Sequence, residues 1–279
     1  MTRTAIIAGK GALPAILAAR LGQTGTPYLV AEMQGFPADV PGVTPVRFRL
    51  ERLVPFLESL AQDGVGRVVL AGAVNRPRIE PEMFDPRTAQ LVPVMLAAMQ
   101  KGDDGALRAL IGIFEDWDFE VVGADVIAPD LVPAEGILCG APSAQDRTDA
   151  SRAAQVVDAL GAIDVGQGAV VARGQCLAAE ALPGTDAMLA AVAAWRGPQD
   201  RRSGLLYKAP KLGQDRRADL PVIGPATVAA AAAAHLSGIA WQAGGVMILD
   251  RDATQTAAEQ AGLFLWSRPK DPPPQDPGP

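Results

Sequence analysis

One histidine, His235, stands in a chain of 279 residues. That scarcity removes two-histidine zinc sites and leaves little room for a Ser-His-Asp or Cys-His arrangement. Two cysteines, Cys139 and Cys176, lie far apart in no metal-binding spacing, which argues against a disulfide scaffold. Aromatic residues make up only 5% of the chain. No run approaches the ~20 apolar residues of a membrane span. The amino-terminal apolar stretch is also too short for a secretory core, so a cytoplasmic location is expected. Positive charge is in deficit too. The formal net charge of −6 argues against a general nucleic-acid binder.

What is present is apolar and regularly punctuated. Hydrophobic residues reach 49%, enough to build cores, and the length suits two domains. Thr4–Ala8, Pro27–Glu32, Arg67–Val74 and Phe119–Val122 read as strands. Helical stretches to Leu21 and over Glu51–Gln62, Leu91–Met99 and Gly105–Trp117 alternate with them. Such alternation predicts a doubly wound parallel sheet. Beyond Pro129 the pattern changes to a helix over Ser143–Leu160, then hairpins and mixed elements. The reading is α/β: a Rossmann-like domain over 1–128, a linker over 129–145, and an α+β catalytic domain over 146–270. Residues 271–279, "DPPPQDPGP", form a tail with nothing to pack.

The stretch "IIAGKGALPAIL" places Gly9, Lys10, Gly11 and Ala12 between the first strand and a helix opened by Pro14. A nicotinamide site wants G-x-G-x-x-G with an acidic residue about 20 positions on. Gly9, Gly11 and Glu32 fit that pattern; Pro14 departs from it at the third glycine. A glycine turn feeding a helix also offers N–H groups to any anion. Residues 201–217 then carry Arg201, Arg202, Lys208, Lys211, Arg216 and Arg217 against Asp215 alone, a segment suited to phosphate or an anionic membrane. Directly after it, Asp219 stands before Pro221 and Gly224-Pro225. A carboxylate held there suits magnesium-assisted phosphate chemistry; a cap or surface ion pair is the plainer alternative. Thr185 or Asp186 would cap the helix that follows "LPG", and Asp103 or Asp104 the one after "KG".

Seven segments together resemble one family: "IAGKGALP", "LAGAVNRP", "KGDD", "DVGQGAVV", "EALPGTDAML", "YKAPKLGQDRRADLPVIG" and "AGLFLW". The chain is similar, almost end to end, to UDP-2,3-diacylglucosamine pyrophosphatases of the LpxI type, enzymes of lipid A biosynthesis. Lys10 departs from the family's more usual glycine at that position. The resemblance implies a hydrolase at the inner-membrane surface that splits its UDP-lipid substrate into 2,3-diacylglucosamine 1-phosphate (lipid X) and UMP. It further implies a divalent cation such as Mg2+, two domains enclosing substrate, and a key aspartate at Asp219. Asp219 is then catalytic and a metal ligand; Asp186, from its place at the start of the helix after "LPG", is the second metal-ligand candidate. Gly9, Lys10, Gly11, Ala12, Gly72, Asn75, Gln167, Gly168, Thr185, Lys208 and Lys211 would contact substrate. The competing readings are a nicotinamide-dependent oxidoreductase and a non-enzymatic sugar-nucleotide-binding protein. A homodimer is left open.

Overall fold

The computed structural model describes residues 2–74, 78–99, 103–197, 201–211, 213–217 and 219–270. The chain divides into two compact units. The first takes in Met1–Pro129 together with Asp215–Asp219, and the second Asp130–Gln214 with Leu220–Pro279. The contiguous division read from the sequence does not include the return of one short segment, 215–219, to the first unit.

In the first unit the strands are β1 (Arg3–Ala8), β2 (Tyr28–Met33), β3 (Val46–Phe48), β4 (Val65–Ala71) and β5 (Glu120–Val122). The helices are α1 (Leu13–Gln23), α2 (Leu53–Gln62), α3 (Val92–Met99), α4 (Asp103–Glu115) and the single turn α5 (Ala124–Ile127). The strands pair in parallel in the order β3-β2-β1-β4-β5. This is a Rossmann-like order, and it reverses direction between β1 and β4. Ala5, Ile6, Ile7 and Ala8 of β1 are buried because helices cover both faces of a central parallel strand. One core joins Leu53, Phe56, Leu57 and Leu60 of α2 to Val68, Phe114 and Phe119. Apolar residues at i, i+3, i+4 and i+7 of α2 supply the stripe that packs there.

The second unit holds β6 (Gly136–Cys139), α6 (Ala144–Ala162), β7 (Gly168–Ala172), β8 (Gln175–Ala179), α7 (Gly184–Trp195) and β9 (Leu205–Lys208). Then follow β10 (Val222–Ile223), α8 (Pro225–Ala233), β11 (Gly238–Gln242), β12 (Met247–Ile248), α9 (Arg251–Ala261) and β13 (Phe264–Arg268). Its main sheet runs β6-β13-β11-β9-β7-β8, parallel through β13, β11 and β9 and antiparallel at β6 and β7. Side chains alternate across it. Leu205 and Tyr207 pack on α6, while Leu206, Ile239 and Trp241 join the core containing Leu189, Val228 and Ala258. The hairpin between β7 and β8 turns at Arg173 and Gly174, with φ of 52° and 78°. Buried Asp149 of α6 accepts both of their N–H groups, at 2.8 and 2.7 Å. The segment 129–145, read as a linker, contains β6 and the start of α6, so most of it belongs to the second unit's framework.

Candidate active site

The glycine turn follows β1, at the point where the strand order reverses. Lys10 and Ala73 exchange both backbone hydrogen bonds, at 2.9 and 3.0 Å, and Gly9 donates to the Ala71 carbonyl at 2.7 Å. The crossing is too close for side chains. A Cβ on Gly9 would lie 2.5 Å from the Ala73 oxygen, and one on Gly72 would lie 2.6 Å from the Lys10 oxygen. Gly9 and Gly72 therefore shape the turn through backbone contact, and the N–H groups of Gly9 and Lys10 are already spent. Gly11 is different: its φ of +99° demands glycine although open space surrounds it. Gly11 and Ala12 are exposed, and among the described residues no acceptor takes their N–H groups. Ala12 caps α1 with no side-chain hydrogen bond, and Pro14 stands in the first turn. The free end of α1 thus has the donors and dipole that favour an anion.

Asp219 is exposed and closes the segment that joins the first unit. Its backbone N–H reaches the Asp215 carbonyl at 3.5 Å. It is no helix cap, because α8 is preceded by Gly224 at that position. Four residues earlier, Asp215 accepts from Arg217 through both Nε (3.0 Å) and Nη2 (2.7 Å). Those hydrogen bonds hold the Asp215 carboxyl below its ordinary range. Arg217 also donates to Glu115 at 2.6 Å.

In the second unit a polar cluster lies at the carboxyl end of β9. Lys208 is 4% exposed, and its Nζ donates to the Thr185 hydroxyl at 2.8 Å and to the Val222 carbonyl at 3.4 Å. Thr185 in turn donates to Glu180 Oε2 at 2.9 Å. Gly168 pairs with Lys208 across the sheet, and its neighbour Gln167 carries a buried Oε1 with no protein partner among the described residues. Lys211 pairs with Asp164 at 2.6 Å. Asp186 is exposed in the first turn of α7, where Pro183, not Thr185 or Asp186, is the capping residue. The basic segment thus meets more acid than its own sequence shows: Glu180, Asp164 and Glu115 face three of its cations. Arg202 bonds to the Ala261 carbonyl.

Glu180 was not among the residues read from sequence as functional. The signal was present in "EALPGTDAML", where an acid stands five residues before a threonine, but only folding shows the two meeting. Asn75 lies outside the described residues, as do the Asp103 and Asp104 side chains and the tail. Glu32, the acid that a nicotinamide site would use for ribose, is 4% exposed and committed elsewhere. Its Oε1 accepts from Arg47 at 2.7 Å and its Oε2 from the Ala38 N–H at 2.9 Å. Nearby, a cleft of about 370 Å³ is lined by Gln34, Phe36, Arg49, Glu51, Arg78 and Glu80, among others. Among the described residues no group of three or more His, Cys, Asp and Glu side chains is gathered as a metal site. A magnesium ion shared with phosphate takes only one or two protein carboxylates; Asp219 of the first unit and Asp186 of the second are each exposed.

Two family models match the chain, the LpxI N-terminal domain over residues 3–131 and the LpxI C-terminal domain over 134–266. The chain belongs to the LpxI family. A relative from Caulobacter vibrioides, named UDP-2,3-diacylglucosamine pyrophosphatase LpxI, is 38% identical over 275 residues, covering 95% of this chain and 97% of its own. The LpxI match spans both units and every segment on which the sequence resemblance rests. No helix among the described residues is long and apolar enough to cross a membrane.

Proposed function

We propose that the protein hydrolyses UDP-2,3-diacylglucosamine to 2,3-diacylglucosamine 1-phosphate and UMP. The observation that carries this reading is the LpxI match across both units, with the named activity of a relative aligned over 95% of the chain. The residues supply chemistry of the right kind. Gly11 and Ala12 offer unspent N–H groups at the start of α1 for oxygens of the diphosphate. Asp219 accepts a proton from, or orients, the water that attacks phosphorus. Gln167, Gly168, Thr185, Lys208 and Lys211 bind and align the sugar-phosphate side, while Gly9, Lys10 and Gly72 hold the turn in shape. Mg2+, with Asp219 as its proposed ligand, would neutralise charge developing on the phosphoryl oxygens.

A diacylated substrate partitions into bilayers, so the enzyme works in the cytoplasm at the inner-membrane surface. The committed carboxylate of Glu32 speaks against the nicotinamide alternative. The test is incubation of the purified protein with UDP-2,3-diacylglucosamine and Mg2+, followed by phosphate-resolved product analysis. Lipid X and UMP should form, a chelator should stop turnover, and added Mg2+ should restore it. Full turnover in chelated, metal-free buffer would overturn the role of the cation.

A further inference from the structure

We propose that Arg217 is a positioning residue for Asp219, docking the segment 215–219 on the carboxyl edge of the first unit's sheet; its kinetic consequence rests on the hydrolase reading above. The guanidinium is shared between two carboxylates. Its Nε and Nη2 donate to Asp215 at 3.0 and 2.7 Å, and the Arg217 backbone N–H donates to the same carboxylate at 3.0 Å. The third nitrogen, Nη1, donates to Glu115 Oε1 at 2.6 Å, across 102 positions of sequence. The first set closes the loop on itself, and the second joins it to the end of α4. Charge-assisted bonds from one planar fork fix direction as well as distance.

Two further contacts say where the segment docks. Arg108 stands on α4 seven residues before Glu115, two turns away on the same face. Its charge favours the Asp215 carboxylate in the same sense as Arg217 does. One helix thus presents a cation to Asp215 and a carboxylate to Arg217. The Arg216 carbonyl comes so near the turn after β5 that a Cβ on Gly123 would lie 3.4 Å from it. Gly123 follows β5 directly, and β5 runs parallel to β1 with β4 between them. The turn at Gly123 and the glycine turn therefore leave the same edge of the sheet, the carboxyl edge at which parallel α/β sheets bind ligands. Two strand spacings, about 10 Å, separate β5 from β1. Arg217 holds at that edge the segment that ends in Asp219. The side chains of Arg217 and Glu115 are 40% and 46% exposed, so their bond adds little to global stability. Its loss should be read in position more than in folding.

The test is a mutant cycle in the full chain with two readouts. Arg217→Ala should lower kcat about 10–10²-fold, the scale of a reacting group displaced by an ångström, with a much smaller change in KM. Arg217→Lys keeps the charge without the fork and should fall between. In an Asp219→Asn background, Arg217→Ala should reduce kcat little further, because a residue that acts through Asp219 has nothing left to position. Losses that multiply would overturn the positioning role and make Arg217 a substrate contact in its own right. Glu115→Ala leaves the Asp215–Arg217 bonds in place and breaks only the link to α4. Hydrogen–deuterium exchange without substrate should then quicken about tenfold at the Arg217 and Asp219 amides, while β1 and β4 stay protected. Glu115→Gln, which keeps an acceptor oxygen, should recover part of that protection. If Arg217→Ala does not fold, Glu115→Ala enters the same cycle with a smaller loss of kcat. Unchanged exchange in Glu115→Ala would overturn the docking. Faster exchange with wild-type kcat would overturn the positioning role and leave the ion pair structural. Absence of turnover in the wild type would count against the hydrolase reading, while the exchange arm still decides the docking.

Discussion

Asp219 closes the short segment 215–219 that joins the first unit, and it stands exposed just before buried Leu220. Asp219 is exposed and caps no helix, and an exposed charge adds little stability. Asp219→Asn keeps the shape and removes the charge. If the carboxylate acts as the transition state forms, kcat should fall about 10²–10⁴-fold with a much smaller change in KM. The melting temperature should stay near that of the wild type. Single-turnover rates and thermal melts of the variant check both halves; near-normal turnover would remove Asp219 from the site. At this scale the sequence was legible wherever a residue's role is local. Gly11 is such a case, since its turn demands positive φ. The burial of Lys208 was not: it was read as one of six cations in a basic segment and as a substrate contact, and it pairs with Glu180, 28 positions earlier in the chain.

The connection from β1 through the glycine turn to α1 shows how one element combines two kinds of glycine. Gly9 is needed for close approach and Gly11 for its backbone angle, and the two requirements separate by mutation. Gly9→Ala forces a methyl against the Ala73 carbonyl and should destabilise the fold by about 1–3 kcal/mol, read from denaturant titration. The Cβ of Gly11→Val would meet no atom, but at this φ it strains the turn that presents the Gly11 and Ala12 N–H groups. It should raise KM more than it lowers stability; equal stability losses in both variants would contradict this division of labour. Most helices and central strands were legible from apolar periodicity, because burial on one or both faces writes that period into the chain. β3 and β6 were not. β3 is three residues long with two of them exposed, and β6 sits among prolines and glycines with only Cys139 buried. Their pairing is set by β2 and β13, not by their own composition.

At the scale of the whole molecule, the first unit gathers carboxylates that folding makes more acidic. Glu32 is held down by the Ala38 N–H and then by Arg47; Asp215 is held down by Arg217. Burial pushes Glu51 and Asp85 upward, but hydrogen bonds from Glu80 and Arg49 to the one, and from Thr88 to the other, outweigh it. A carboxylate with a folded pKa below its unfolded value stabilises fully above the unfolded value. That contribution is lost as pH falls through the folded one. Since the ordinary values are 3.8 for Asp and 4.5 for Glu, calorimetry should find the first unit's transition steady above about pH 5 and falling steeply below pH 4. Glu32→Gln should lower it at neutral pH and flatten the acid slope; an unchanged slope would contradict the assignment. The two-unit, α/β architecture was legible from the change of pattern after Pro129, whereas the return of 215–219 to the first unit was not, because no local signal marks which unit a loop joins. The central claim is hydrolysis at phosphorus, and product analysis in 18O-labelled water tests it most directly. The account predicts UMP and 2,3-diacylglucosamine 1-phosphate, with one 18O atom in the phosphate of one product and none in the other. UDP together with free diacylglucosamine, or labelled products lacking 18O on phosphorus, would contradict it.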